Sequence, residues 1–122
     1  MPVMRGLTII AATADAERFR AALSLACAHA ALGGSTRLYC HEAAVALLIP
    51  GSDPRDAELA GKGLASRAQL LAEAVESGVA LIACQTGLAA AGIAFDTLAP
   101  GVEPGGLVSL LAALGEDRLV TL

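Results

Sequence analysis

The chain has 122 residues, of which 56% are hydrophobic and 16% charged, and its formal net charge is -4 at pH 7. This length predicts one domain, able to bury about two-thirds of the surface that the unfolded chain would expose. The eight basic residues are spread along an acidic chain, which argues against a nucleic-acid partner because phosphate backbones need concentrated positive charge.

The first half of the chain reads as strand, helix, strand and short helix. Residues 5–11 are a short β-rich run, and Asp15 is a suitable N-cap for a helix whose apolar residues recur every three or four positions. After two glycines that end this helix, residues 35–40 read as a second strand. A short apolar helix is predicted around residues 42–49.

The second half begins with a polar segment at residues 50–63, whose prolines and glycines predict a loop. Ser66 and Gln69 are spaced as a capping box for a helix at 66–76. Residues 79–83 are a continuous apolar run, typical of a buried parallel strand. A leucine stripe predicts a helix at 104–114, and the terminal DRLVTL predicts a last strand. We expect the helix at 66–76 to bury Ala68, Leu71, Ala72 and Val75.

This alternation of strands and helices predicts an α/β fold with a parallel sheet covered on both faces. Residues 77–95 carry no charge and approach the ~20 residues that a membrane-spanning helix needs. Glycines, Gln85 and Thr86 interrupt this segment, and no Trp or Tyr flanks it. We therefore predict no membrane span.

The three cysteines, Cys27, Cys40 and Cys84, form no C-x-x-C pair and no zinc-ligand spacing. This pattern predicts neither a metal site nor a disulfide framework, and it favours a reducing, cytoplasmic setting. Since the sequence also lacks a phosphate-binding glycine loop, we predict no cofactor. Cys27 lies beside the apolar stripe of the first helix, which indicates packing.

Cys84 and the pair Cys40 and His41 follow predicted strands. In parallel sheets, ligands collect beyond the carboxyl ends of the strands. A thiol at a strand-to-helix junction meets unpaired backbone N–H groups and the positive end of the helix dipole, and both favour thiolate. The alternative is that Cys84 packs as a small hydrophobic residue. Adjacent strand residues point to opposite faces, so Cys40 and His41 need not form a catalytic pair.

The segments GVALIACQTGLAAAGI, FDTLAPGVEPGG and LVSLLAALGEDRLVTL, with the opening strand-helix-glycine unit, resemble the DsrE/DsrF-like superfamily, especially its small bacterial peroxiredoxin-like branch. The most specific match is the apolar strand that ends in Ala83 and Cys84 and is followed by Gly92. That branch often has Met-Ser-x-Asp after the cysteine, where this chain has QTGLAAA.

The resemblance implies one DsrE/F-like domain over residues 1–122, with a flavodoxin-like three-layer α/β/α architecture and a mainly parallel sheet of about five strands. It implies a homo-oligomer, as does the high apolar content, because apolar surface left over after folding marks interfaces. It also implies a sulfur-carrier or sulfurtransferase-like protein in which Cys84 carries a persulfide between donor and acceptor proteins. The residues expected to bind beside Cys84 are Gln85, Thr86, Gly87, Cys40 and His41.

Two other functions stay open at this point. One is a non-enzymatic oligomeric binding or scaffold protein in which Cys84 only packs. The other is a small-ligand site, for a nucleotide or a flavin, at the strand ends of the sheet. Whether the protein is an enzyme depends on the reactivity of Cys84.

Overall fold

A computed structural model describes residues 4–51 and 53–122 of the chain. The predicted domain at 1–122 and the predicted loop at 50–63 both include positions outside these ranges. In chain order the elements are β1 (Leu7–Ala11), α1 (Ala16–Ala31), β2 (Thr36–Cys40), a first 3-10 helix (Glu42–Leu48), α2 (Asp56–Gly61), α3 (Arg67–Glu76), β3 (Ala80–Cys84), α4 (Gln85–Ala91), a second 3-10 helix (Phe95–Thr97), β4 (Glu103–Gly105), α5 (Leu107–Ala112) and β5 (Arg118–Thr121).

The five strands form one sheet in the order β4-β3-β2-β1-β5, and every neighbouring pair is parallel. The register places Ile9 of β1 beside Leu38 of β2 and Val120 of β5, and Leu38 beside Leu81 of β3. These apolar strands have both faces covered, as parallel sheets require. The predicted α/β class, with a parallel sheet of about five strands in a three-layer arrangement, is confirmed.

The two long helices begin at the predicted caps. The Asp15 carboxylate accepts a hydrogen bond of 2.8 Å from the Arg18 N–H at the start of α1. Ser66 and Gln69 form the capping box of α3, with the Gln69 N–H donating to the Ser66 hydroxyl and the Ser66 N–H donating to the Gln69 side chain. Each cap satisfies backbone N–H groups that the first helical turn leaves unpaired.

The buried face of α3 differs from the predicted one. Leu71 is buried as expected, but its buried neighbours are Leu70 and Ala74, and Ala72 is exposed. The predicted stripe instead lines an open apolar groove of 410 Å³, formed by Ala68, Leu71, Ala72, Val75, Glu76, Pro50, Ala99 and Pro100. Because alanines make both faces of this helix apolar, the spacing of apolar residues predicted the wrong buried face.

The predicted loop at 50–63 contains the helix α2, so the expectation of an irregular segment is wrong for residues 56–61. Acidic residues in the first turn favour the helix, and Leu59 is buried on it. Two ion pairs connect the segment to its neighbours. Arg67 contacts Asp53 at 3.0 Å, and Arg55 contacts Glu17 at 3.1 Å.

The predicted helix at 104–114 is also shorter than expected. Residues 103–105 form β4, whose Glu103 and Gly105 lie beside Ile82 and Cys84 of β3, and α5 begins only at Leu107. Pro104 is tolerated because β4 is an edge strand, where one side of the backbone needs no hydrogen-bonded neighbour. The apolar helix predicted at 42–49 is a 3-10 helix.

The uncharged segment at 77–95 is divided between β3, α4 and the start of the second 3-10 helix. Within the described ranges, no helix has the length and apolar character needed to cross a membrane.

Candidate functional site

Cys84 is the last residue of β3 and the N-cap of α4. The apolar run of the strand ends here, and the chain turns at once into the helix. The Gly87 N–H donates a hydrogen bond of 3.3 Å to Cys84 Sγ. The residue is only 4% exposed, so the sulfur lies just beneath the surface at the carboxyl edge of the sheet.

Four donor groups lower the pKa of this thiol, and we call the set the sulfur cradle. It consists of the Tyr39 hydroxyl and the backbone N–H groups of Glu42, Thr86 and Gly87. Burial acts to raise the pKa of the Cys84 thiol, but these donors outweigh it and hold the pKa below its ordinary value. Hydrogen bonds to a charged acceptor are stronger than those to a neutral one, so the cradle favours thiolate.

Tyr39 reaches the cradle through the strand register. It lies directly beside Ile82, and Cys84, two positions further along β3, has its side chain on the same sheet face. Tyr39 is almost fully buried. Burial, followed by the hydrogen bond to Cys84, raises the pKa of Tyr39, which keeps its hydroxyl protonated as a donor.

Glu42 enters the cradle through its backbone. It follows β2 immediately and begins the first 3-10 helix in a left-handed conformation, with a φ of 44°. Across from it, Gly87 of α4 approaches the Glu42 peptide so closely that a Cβ at position 87 would lie 2.5 Å from the Glu42 carbonyl oxygen. The two elements that carry the N–H donors are therefore in direct contact.

The structure separates Cys40 and His41 as the alternation of strand side chains requires. Cys40 is fully buried beside Ala11 and Ala83, and burial raises the pKa of its thiol. Cys40, the last residue of β2, is therefore a core residue. His41 packs its ring 6.1 Å from that of Tyr39, with Nε2 3.7 Å from a Glu42 carboxylate oxygen.

His41 also has a buried Nδ1 with no hydrogen-bond partner among the described residues. Within the described part of the chain, His41 lies beside Tyr39 and Glu42 and does not hydrogen-bond to Cys84.

The remaining predicted site residues lie at the start of α4. Gln85 and Thr86 are exposed, and Gly87 is buried. Thr86 and Gly87 contribute backbone N–H groups, so the cradle needs no polar side chain from the QTGLAAA segment. Cys27, predicted to pack, is buried on α1, where burial and then the nearby Glu73 charge raise its pKa.

Tyr39 and Glu42 were not predicted as site residues from the sequence. Tyr39 could have been predicted, because it is the second-last residue of β2 and lies near the end of β3 if the two strands pair in register. Nothing in the sequence indicates that Glu42 adopts a positive φ, since glycine and asparagine are the residues that favour it.

An open depression of 260 Å³ lies beside the cradle, lined by Glu42, Ala43, Gly87, Ala90 and Ala91. It shares Glu42 and Gly87 with the cradle, whereas Cys84 itself is not among its lining residues. Within the described ranges, no cluster of three His, Cys, Asp or Glu side chains is arranged to hold a metal ion. The donors around Cys84 favour its thiolate, the form of cysteine that acts as a nucleophile.

Comparison with known proteins places this geometry in context. The model of the DsrE/DsrF-like family matches residues 6–122. The structure of the YchN protein of E. coli superposes with a TM-score of 0.77 and 27% identity, covering 98% of this chain and 100% of that one. MTH1491 of Methanobacterium thermoautotrophicum, a protein of unknown function, superposes with a TM-score of 0.69 and 16% identity, with the same coverage. No protein of curated function matches the chain.

Proposed function

This chain belongs to the DsrE/DsrF-like family, which is linked to sulfur relay, and from that premise we propose that it carries sulfur as a persulfide on Cys84. The observation that supports this most is the sulfur cradle, in which four donors hold the pKa of the Cys84 thiol below its ordinary value. A buried cysteine without such donors, like Cys40, has its pKa raised instead.

The proposed transfer needs no oxidant. The Cys84 thiolate attacks the outer sulfur of a donor persulfide, so that a new S–S bond forms at Sγ while the S–S bond of the donor breaks and the donor leaves as a thiolate. An acceptor thiolate then attacks the outer sulfur on Cys84 and releases Sγ as a thiolate. Because a thiol of lower pKa is a better leaving group, the cradle assists this second step as well as the first.

The donor and acceptor are proposed to be proteins, and we place them at the depression beside the cradle. Its lining residues are three alanines, Gly87 and Glu42, and among the described residues no lysine or arginine lines it to attract a small anionic donor. Since persulfide chemistry needs reduced thiols, we also propose a cytoplasmic setting, in which the three free cysteines stay reduced.

The test is to expose the reduced protein to a persulfide donor and to measure each cysteine peptide by mass spectrometry. We expect one added sulfur atom on Cys84 and none on Cys27 or Cys40, whose thiol pKa values are raised. The control is Cys84→Ser, which should remove the adduct and preserve the circular dichroism spectrum.

The scaffold alternative is favoured by one observation, the 4% exposure of Cys84. It predicts that Cys84 in the folded protein is neither alkylated nor sulfurated at neutral pH. That result would contradict the carrier proposal. For the small-ligand alternative, the corresponding test is a thermal shift with nucleotides and flavins.

A further inference from the structure

The contact between Gly87 and Glu42 fixes the amide groups that face the sulfur. We propose that Gly87 and the backbone of Glu42 are positioning residues for Cys84: glycine at position 87 lets α4 press against the Glu42 peptide, and this contact holds both N–H groups on Sγ. The proposal concerns the same thiolate that the proposed function uses, but its test needs no sulfur donor, so the two can fail separately.

The first observation is the backbone of Glu42. Its φ of 44° makes it the only non-glycine residue with a positive φ in the described part of the chain. Such a conformation costs of order 1 kcal/mol for a residue with a Cβ, and it persists only where the surroundings impose it. The residue that follows β2 at the carboxyl edge is therefore held in an unfavourable conformation at the point where α4 contacts it.

The second observation is the absence of space at Gly87. A Cβ built there would lie 2.5 Å from the Glu42 carbonyl oxygen, 2.7 Å from its Cα and 2.9 Å from its carbonyl carbon. All three are backbone atoms, so no side-chain rotation can relieve the overlap. Gly87 has its own N–H on Cys84 Sγ at 3.3 Å, which means that the residue in contact with Glu42 is also a donor.

The third observation is a contrast within the same helix. Gly92 ends α4 in a left-handed conformation with a φ of 66°, and a Cβ there would meet no atom within 4 Å. Glycine at 92 is thus required by the local conformation of the helix end, whereas glycine at 87 is required by a neighbouring peptide. Substitutions at the two glycines therefore test the positioning of the sulfur separately from the stability of α4.

The experiment measures the pH dependence of Cys84 alkylation in Gly87→Ala and in Gly92→Ala, by quantifying the Cys84 peptide. In Gly87→Ala the displaced backbone loses hydrogen bonds to the thiolate, and we expect the pKa of Cys84 to rise by about one unit, which lowers its thiolate fraction at pH values below the pKa roughly tenfold. In Gly92→Ala the melting temperature falls, but the alkylation profile stays that of the parent protein.

A folded Gly87→Ala variant with the parent alkylation profile would overturn the proposal. If this variant does not fold, nuclear magnetic resonance of the parent protein decides. The amide proton signals of Glu42 and Gly87 should move with pH at the midpoint found for Cys84 alkylation, and these movements should be absent in Cys84→Ser. Signals that do not follow Cys84 would refute the positioning role.

Discussion

At the scale of single residues, the pKa of the Cys84 thiol depends on neighbours both near to it and distant from it in sequence. Cys40 lies on the adjacent strand and is fully buried, and burial alone raises the pKa of its thiol. Cys84 is also buried, but the Tyr39 hydroxyl and three N–H groups reverse the effect of burial. The donors around Cys84 and the deeper burial of Cys40 together distinguish the two thiols.

The Tyr39 hydroxyl should account for a measurable part of this difference. In Tyr39→Phe the ring and its packing stay, while one donor to the thiolate is lost. We expect the pKa of Cys84 to rise by about one unit, so that alkylation at neutral pH slows up to tenfold. The measurement is the same alkylation profile, with Cys27 and Cys40 as internal references.

Tyr39→Phe should also change how the free energy of unfolding depends on pH. A thiol whose pKa is lowered in the folded state stabilises the fold at pH values above its unfolded pKa, and this contribution is lost as the pH falls through the folded pKa. In Tyr39→Phe that pH-dependent contribution shrinks. An unchanged Cys84 profile in the variant would show that the hydroxyl does not act on the thiolate.

At the scale of elements, the features that could be predicted from the sequence are those whose interacting residues lie close together in the chain. Asp15 and the Ser66 and Gln69 pair are caps whose partners lie within one helical turn, and they were found. The strand β4 exists only because residues 103–105 pair with β3, and its Pro104 and Gly105 indicate no strand when read alone. Likewise, Tyr39 joins the site only through the pairing of β2 with β3.

Ion pairs link the segment around the short helix α2 to α1 and α3. Arg67, the first residue of α3, contacts Asp53 at 3.0 Å, with side chains that are 17% and 12% exposed. Removal of the arginine in Arg67→Ala leaves a largely buried carboxylate unpaired, which costs about 1–3 kcal/mol. We therefore expect faster amide hydrogen exchange in α2, with the Cys84 alkylation profile unchanged.

Arg55→Ala is the matched control for this element. Arg55 pairs with Glu17 at 3.1 Å, but both side chains are exposed, and such surface pairs contribute at most about 1 kcal/mol. The exchange of α2 should respond weakly to this change. Equal effects of the two variants would mean that the Arg67 pair does not hold the segment.

At the scale of the whole molecule, the fold does not bury all of the large apolar side chains. Large apolar side chains remain exposed on α5 and on the edge strand β5, where Val108 is 84% exposed, Leu111 46% and Leu119 45%. Leu110 is the one residue of α5 that is buried. A helix with apolar residues on its outward face indicates a surface that another molecule covers.

We predict that a second copy of the chain covers this surface, so that light scattering at micromolar concentration gives a mass above the 12.1 kDa of one chain. Val108→Glu places a charge at the centre of the exposed apolar side chains of α5 and should shift the protein toward the monomer, because an unpaired buried charge is costly. Ala60→Glu adds the same charge to an exposed position of α2 and should leave the mass unchanged. A parent protein of 12.1 kDa would contradict self-association altogether, and equal effects of the two variants would place the interface elsewhere than on α5.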